Sequence, residues 1–289
     1  MIDSAQLLAL AEVIRTGSFD VAATRLGITQ SAVSQRIRAL EDRLGTALVI
    51  RSQPCAPTEA GARLARHAET LRLLEREALA GLDADHDAVT VRIAVNADSL
   101  ATWLLPALAE VDGVLFDLVV DDQDHSADWL RRGEVQAAVT AHGAPIAGCD
   151  SHALGRMPYV ATASPGFAAR RFPDGVSAAA LEEAPALTFN RKDRLQALWA
   201  ERAAGRPVSL RTHYIASSQA FVTASELGLG WGMNPEPLVR DALAEGRLVA
   251  LCPEIAIDTP LHWQVARLTA RALAPLTAAI RRAASRGLV

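Results

Sequence analysis

Residues 18–51, SFDVAATRLGITQSAVSQRIRALEDRLGTALVIR, constrain this chain more than any other stretch, because their spacing predicts two short helices joined by a sharp turn. Phe19, Ala22, Ala23 and Leu26 recur at helical spacing and form a short apolar stripe. Gly27 follows at a point where a helix end favours a residue that tolerates positive φ, and Ile28 plugs the turn. Thr29 is a good N-cap for the second helix. There Val33, Ile37, Leu40 and Leu44 repeat at four, three and four, which predicts one buried face. Gln30, Ser31, Ser34, Gln35 and Arg38 lie off that stripe; with Ala32 and Arg36 they are the candidate contact set. Short polar and amide side chains near a helix N-terminus reach base edges in the major groove. Gly45 stops the helix, and residues 46–57 read as a β-wing with Arg51 near phosphate. Periodicity alone would equally fit a helical hairpin with a solvated face. The joint pattern AA-x-x-L, G-I, T-Q-S-A-V-S and Ala39-Leu40-Glu41 favours a helix-turn-helix.

Overall charge gives no hint of this. The 289 residues carry a net charge of −4, and half of them are hydrophobic, enough for two or more domains with sizeable cores. Within residues 18–51 the balance reverses: Arg25, Arg36, Arg38, Arg43 and Arg51 face Asp20, Glu41 and Asp42. So modest a basic footprint requires a dimer to double the phosphate contacts. Lys192 is the only lysine. Cys55, Cys149 and Cys252 are far apart and show no C-x-x-C spacing, which argues against structural zinc or a disulfide framework. The N-terminus lacks a basic-then-apolar leader, and no run is long enough to cross a bilayer, so a cytoplasmic location is expected.

Residues 58–82 read as one amphipathic helix capped by Thr58, with Leu64, Leu71 and Ala78 seven apart and Ala68, Leu74 and Leu82 beside them. Residues 83–87 read as a polar hinge. Beyond residue 88 strands alternate with helices: strands at 89–96, 114–120 and 136–140, helices at 101–111 and 126–132. Further strands fall at 159–163, 186–189 and 262–268, a tight turn into a strand at 228–233, and a closing helix at 273–284. That alternation predicts an α/β domain with a largely parallel sheet.

The N-terminal stretch resembles the winged helix-turn-helix of LysR-type transcriptional regulators. The phenylalanine usual in that family's wing strand is missing from Leu48-Val49-Ile50-Arg51, but β-branched residues still suit a strand. The strings Asn96-Ala-Asp-Ser-Leu-Ala-Thr-Trp-Leu-Leu-Pro106, Leu130-Arg-Arg-Gly-Glu-Val135 and the Gly-Trp-Gly turn resemble the ArgP/LysG branch, in order along nearly the whole chain. The resemblance implies a winged helix-turn-helix at 1–57 and a linker helix with hinge at 58–87 that pairs with a second subunit. It also implies an α/β effector domain at 88–289 with the two-lobed fold of type 2 periplasmic binding proteins. Lobe 1 would span about 88–158 and 265–289, lobe 2 about 159–264. The function implied is sensing of lysine or arginine and control of an amino-acid export gene by a homodimer or a tetramer built from dimers. Ligand would close the lobes, change how dimers meet promoter DNA, and so alter contact with RNA polymerase.

A basic amino acid dictates what the cleft must offer. Its α-carboxylate wants hydroxyls and free N–H groups at a helix start, for which Ser99, Ser217 and Ser218 are placed, and Thr140 ends a strand that faces the crevice. Its cations want carboxylates, and Asp98, Asp121, Asp122, Asp124 and Asp193 are candidates. Asn190 joins the set, and Trp103 is either core or a cation–π partner. Asp98 or Ser99 would serve equally well as plain helix caps, and Asp193, beside Arg191, Lys192 and Arg194, as local charge balance. His125 and His142 lack metal-ligand spacing. No serine elbow, P-loop or dinucleotide fingerprint is present, so no enzyme, metal or cofactor is expected. The alternatives are a regulator of another effector, a transporter's solute receptor, and an architectural DNA protein. The N-terminal motif and missing leader oppose the receptor; the polar recognition helix and ligand cleft oppose the architectural protein.

Overall fold

Three hydroxyl caps set the N-terminal helices. After α1 (Ser4–Thr16), Ser18 caps α2 (Phe19–Arg25), Thr29 caps α3 (Gln30–Leu44), and, beyond the wing strands β1 (Val49–Ile50) and β2 (Ala56–Pro57), Thr58 caps α4 (Glu59–Ala78). Each hydroxyl accepts a first-turn N–H, an interaction that contributes about 1 kcal/mol. This computed structural model describes residues 2–79, 88–121 and 126–289. The expected hinge at 83–87 and the end of the expected helix at 80–82 lie outside them. The chain divides into two units, the first running to Val91 and taking in Gly113–Leu115, the second comprising Arg92–Asp112 and Phe116–Val289.

In the first unit Leu7, Leu10, Val13, Val33, Ile37, Leu40 and Leu48 close a core, against which Leu64 and Leu71 of α4 pack. Fully burying each such side chain is worth about 1.5–3 kcal/mol. Leu44 corrects the expected stripe: it is 40% exposed. It ends α3, and Gly45, at φ +66°, turns the chain away before anything covers it. The wing is fixed to the helices at both ends. Glu41 accepts the N–H groups of Leu48 and Val49 at 2.7 and 3.3 Å. Gly61 of α4 lies so close that a Cβ there would meet the Leu48 carbonyl oxygen at 1.9 Å.

From residue 88 onward the chain forms β3 (Val89–Val95), α5 (Ala97–Ser99), a π-helical turn (Leu100–Leu104), α6 (Leu105–Ala109) and β4 (Val114–Val120). Next come α7 (Ser126–Arg131), β5 (Ala137–Thr140), β6 (Cys149–Ala163), α8 (Pro165–Arg171) and α9 (Ala178–Glu183). Then follow β7 (Ala186–Thr188), α10 (Leu195–Ala204), β8 (Thr212–Tyr214), α11 (Ser218–Glu226) and β9 (Gly232–Pro235). The chain ends with α12 (Glu236–Ala244), β10 (Val249–Ala250), β11 (Ile257–Ala266) and α13 (Ala274–Gly287). The helix expected at 101–111 therefore begins earlier, at Ala97, and contains a π turn.

The main sheet runs β10-β6-β11-β5-β3-β4, with β9 also on β6. Only part of it fits the expected parallel arrangement. β3 and β5 are parallel, but β5–β11, β11–β6, β6–β9 and β6–β10 are antiparallel. The cause is β6, at 15 residues much longer than the strand expected at 159–163, together with β11. Both strands carry the chain between lobes. Residues 149–159 of β6 pair with β11, and from Tyr159 onward β6 also pairs with β9 and then β10. On the return, residues 262–265 of β11 join β5. Separate apolar clusters fill the two ends: Ala94, Leu130, Val135 and Ile146 in lobe 1, and Leu187, Phe221 and Ala224, with Val239 and Leu248 nearby, in lobe 2.

Candidate nucleic-acid interface and ligand cleft

The outer face of α3 is built as the spacing predicts. Gln30, Ser31, Gln35 and Arg38 are exposed, and Ala32, Ser34 and Arg36 are half-buried. The Ser31 hydroxyl lies 2.9 Å from that of the Thr29 cap. Arg51 is exposed and stands over the Phe19 ring, 5.2 Å from its centroid. Arg36, Arg38, Arg43 and Arg51 make no ion pair with a described residue and are available to phosphate, whereas Arg25 is drawn to the buried Glu12 at 3.5 Å. Glu41, counted against the basic footprint in the sequence, holds the wing instead. Behind this face, burial pushes the Glu69 carboxyl of α4 above the ordinary carboxylate range, with Arg72 and then Arg15 pulling it back.

Between the lobes lies a cleft lined by polar side chains from both. Lobe 1 contributes Asn96, Asp98 and Asp121, from the strand ends and the start of α5; lobe 2 contributes Phe189, Asp193, Gln196, Ser218 and Asn234. The carboxylates are held in place. Asp98 accepts the Tyr159 hydroxyl at 2.7 Å and the Ser218 hydroxyl at 2.6 Å, the latter from across the cleft. Asp121 accepts the Trp129 indole N–H at 3.0 Å, and Lys192 reaches its other oxygen at 3.2 Å. Asp193 accepts the N–H groups of Phe189 and Leu195. Neutral groups are left over: the Asn96 side-chain oxygen and nitrogen, Gln196 Oε1 and Asn234 Oδ1 are buried without a hydrogen-bond partner. A buried polar atom without a partner costs about 1–3 kcal/mol, and a polar ligand would recover that cost.

Of the expected effector contacts, Asp98, Asp121, Asp193 and Ser218 line the cleft, and Asp122 and Asp124 lie outside the described residues. The others are not part of that lining. Thr140 is fully buried, donating to the His142 carbonyl and accepting from Gln264. Trp103 packs against Gly287 and Ser217 caps α11. Ser99 is fully buried, and Asn190 turns inward to accept the N–H groups of Lys192 and Asp193. The spacing did not single out Tyr159, Gln196, Asn234 or Lys192 as site residues. Only Tyr159 and Lys192 carried an advance signal, rarity: Tyr159 is one of two tyrosines, and Lys192 is the only lysine. Among the described residues no group of three or more His, Cys, Asp or Glu is gathered as metal ligands, and no helix is long and apolar enough to cross a membrane.

A winged helix-turn-helix joined to a two-lobed α/β domain with a polar cleft defines a DNA-binding transcriptional regulator with an effector-binding domain. Residues 4–62 match the bacterial regulatory helix-turn-helix of the lysR family and residues 84–288 the LysR substrate binding domain, so the chain belongs to the LysR family. It is 45% identical to the regulator LysG of Mycobacterium tuberculosis, over 98% of this chain and 94% of the relative. The crystal structure of ArgP from Mycobacterium tuberculosis superposes with a TM-score of 0.80 at 44% identity, covering 100% of this chain and 99% of that one. Full-length LysG of Corynebacterium glutamicum with bound effector Arg gives 0.66 at 39% identity, covering 99% of each chain.

Proposed function

We propose that this regulator senses a basic amino acid, arginine or lysine, in the cleft and controls transcription of an amino-acid export gene. The observation that carries this reading is the lining of the cleft: Asp98, Asp121 and Asp193 beside the unpartnered oxygens of Asn96, Gln196 and Asn234. Carboxylates and amide oxygens accept hydrogen bonds, and a dibasic ligand supplies donors at both ends. The arginine bound to the LysG of Corynebacterium glutamicum supports the same ligand class. In this proposal 1–57 is the DNA-binding domain, 58–87 the linker through which chains pair, and 88–289 the effector domain. The protein works in the cytoplasm as a homodimer or a dimer of dimers, without cofactor or catalysis, and signals to RNA polymerase at the promoter. Ligand favours closed lobes, and the population shift changes how paired recognition helices are presented to DNA.

The test is thermal stability of the purified protein with each of the twenty amino acids. A ligand at a hundred times its Kd adds about 2.7 kcal/mol to the folded state. Stabilisation by arginine or lysine is expected; stabilisation by a different amino acid alone assigns another effector class.

A further inference from the structure

Asp121 pairs with a cation from the opposite lobe: Lys192 Nζ stands 3.2 Å from its Oδ1. Each side of that contact is built. The Trp129 indole N–H fixes Asp121 Oδ2 at 3.0 Å and orients Oδ1 toward a cation. Lys192 sits on the loop between β7 and α10, which Asn190 Oδ1 tightens by accepting the Lys192 N–H at 2.7 Å. Asp193 braces the same loop through the N–H groups of Phe189 and Leu195. The chain has no other lysine, so its one ε-ammonium is delivered to the mouth of the cleft that is proposed to receive a basic amino acid.

We infer that Lys192 is a tethered stand-in for the effector's side-chain cation: its ammonium occupies the cation subsite at Asp121, and an incoming basic amino acid must displace it. The inference rests on the proposed basic effector and adds the group that sets its affinity. An ammonium is a compact, well-hydrated point charge on a flexible stem, and it swings out to water more readily than a guanidinium fork. The Lys192 side chain is half exposed, so the pair it makes is weak and reversible. A ligand that binds only the fraction of molecules with the subsite open has its apparent affinity reduced by that fraction. Displacement also breaks a tie between the lobes, so the same step that admits ligand releases one conformation of the cleft.

The single lysine makes the test direct. Reductive methylation of the full-length protein with isotope-labelled formaldehyde gives one lysine signal, from Lys192, in addition to that of the N-terminal amine. Asp121→Asn should move that signal to the position of an exposed lysine. Titrating wild type with arginine should move it the same way. By calorimetry Lys192→Gln should bind arginine about two- to fivefold more tightly, the scale of a weak surface ion pair, and Lys192→Arg should show no such gain. Arginine binding with the Lys192 signal unmoved, or Lys192→Gln binding no tighter than wild type, overturns this inference and leaves the basic effector standing. No binding of arginine or lysine to wild type or Lys192→Gln overturns both.

Discussion

Asp98 joins three distant parts of the chain: it begins α5, takes a hydroxyl from Tyr159 on β6, and takes another from Ser218 at the start of α11. Replacing it with Asn removes a charge-assisted acceptor and should weaken effector binding about ten- to a hundredfold by calorimetry. Tyr159→Phe keeps the ring and loses one hydroxyl, so a smaller loss, about three- to tenfold, is expected with the fold intact. Asp98 was legible because it follows a strand beside a helix start. Tyr159, Gln196 and Asn234 were not, because they sit in segments whose apolar neighbours read as core, and only the tertiary fold turns their polar ends to one point. Glu69 makes a prediction about pH. Its folded pKa is raised by burial, so its contribution is fully present below the ordinary carboxylate value of 4.5 and is lost as pH rises through the folded value. Glu69→Gln should therefore raise Tm at neutral pH, and the advantage should vanish below that range.

At the scale of elements, α3 was the most readable part of the chain, because its cap, apolar spacing and glycine stop are all local. Thr29 and Gly45 end it where the sequence places them. Leu44 departs from the pattern because it is the last residue of α3, and the chain turns away at Gly45 before anything packs over it. β6 was read as a short strand because its first half contains polar residues and Gly155, while its partner β11 lies about a hundred residues away. On α3 the exposed face predicts a division of labour. Gln30→Ala should lower operator discrimination with non-specific affinity kept, whereas Arg38→Ala should weaken all DNA binding and reduce the salt slope by about one. Where α4 crosses the wing, Gly61→Ala pushes a methyl into the Leu48 carbonyl, so a loss on the order of 2–3 kcal/mol and of operator affinity is expected from thermal melts and DNA titrations.

For the molecule as a whole, two units with separate cores predict unfolding that is not a single two-state event. Calorimetric scans with and without effector should show the ligand shifting the transition of the α/β unit more than that of the helical unit. The two-unit organisation was visible in the change from helical spacing to strand-and-helix alternation. The mixed sheet was not, since strand direction is set by connections that a local pattern does not record. β6 and β11 give that sheet a further property. They lie side by side through the region where the lobes join, and ten successive residues pair between Ile257 and Ala266 on one strand and Tyr159 and Cys149 on the other. A ladder of this kind resists stretching and shear, because either would break several bonds at once, but it bends and twists cheaply. The bulge at Leu261/His262 marks its softest joint. Whatever the cleft holds can therefore be reported to the rest of the protein as an angle, with almost no change in the length of the connection.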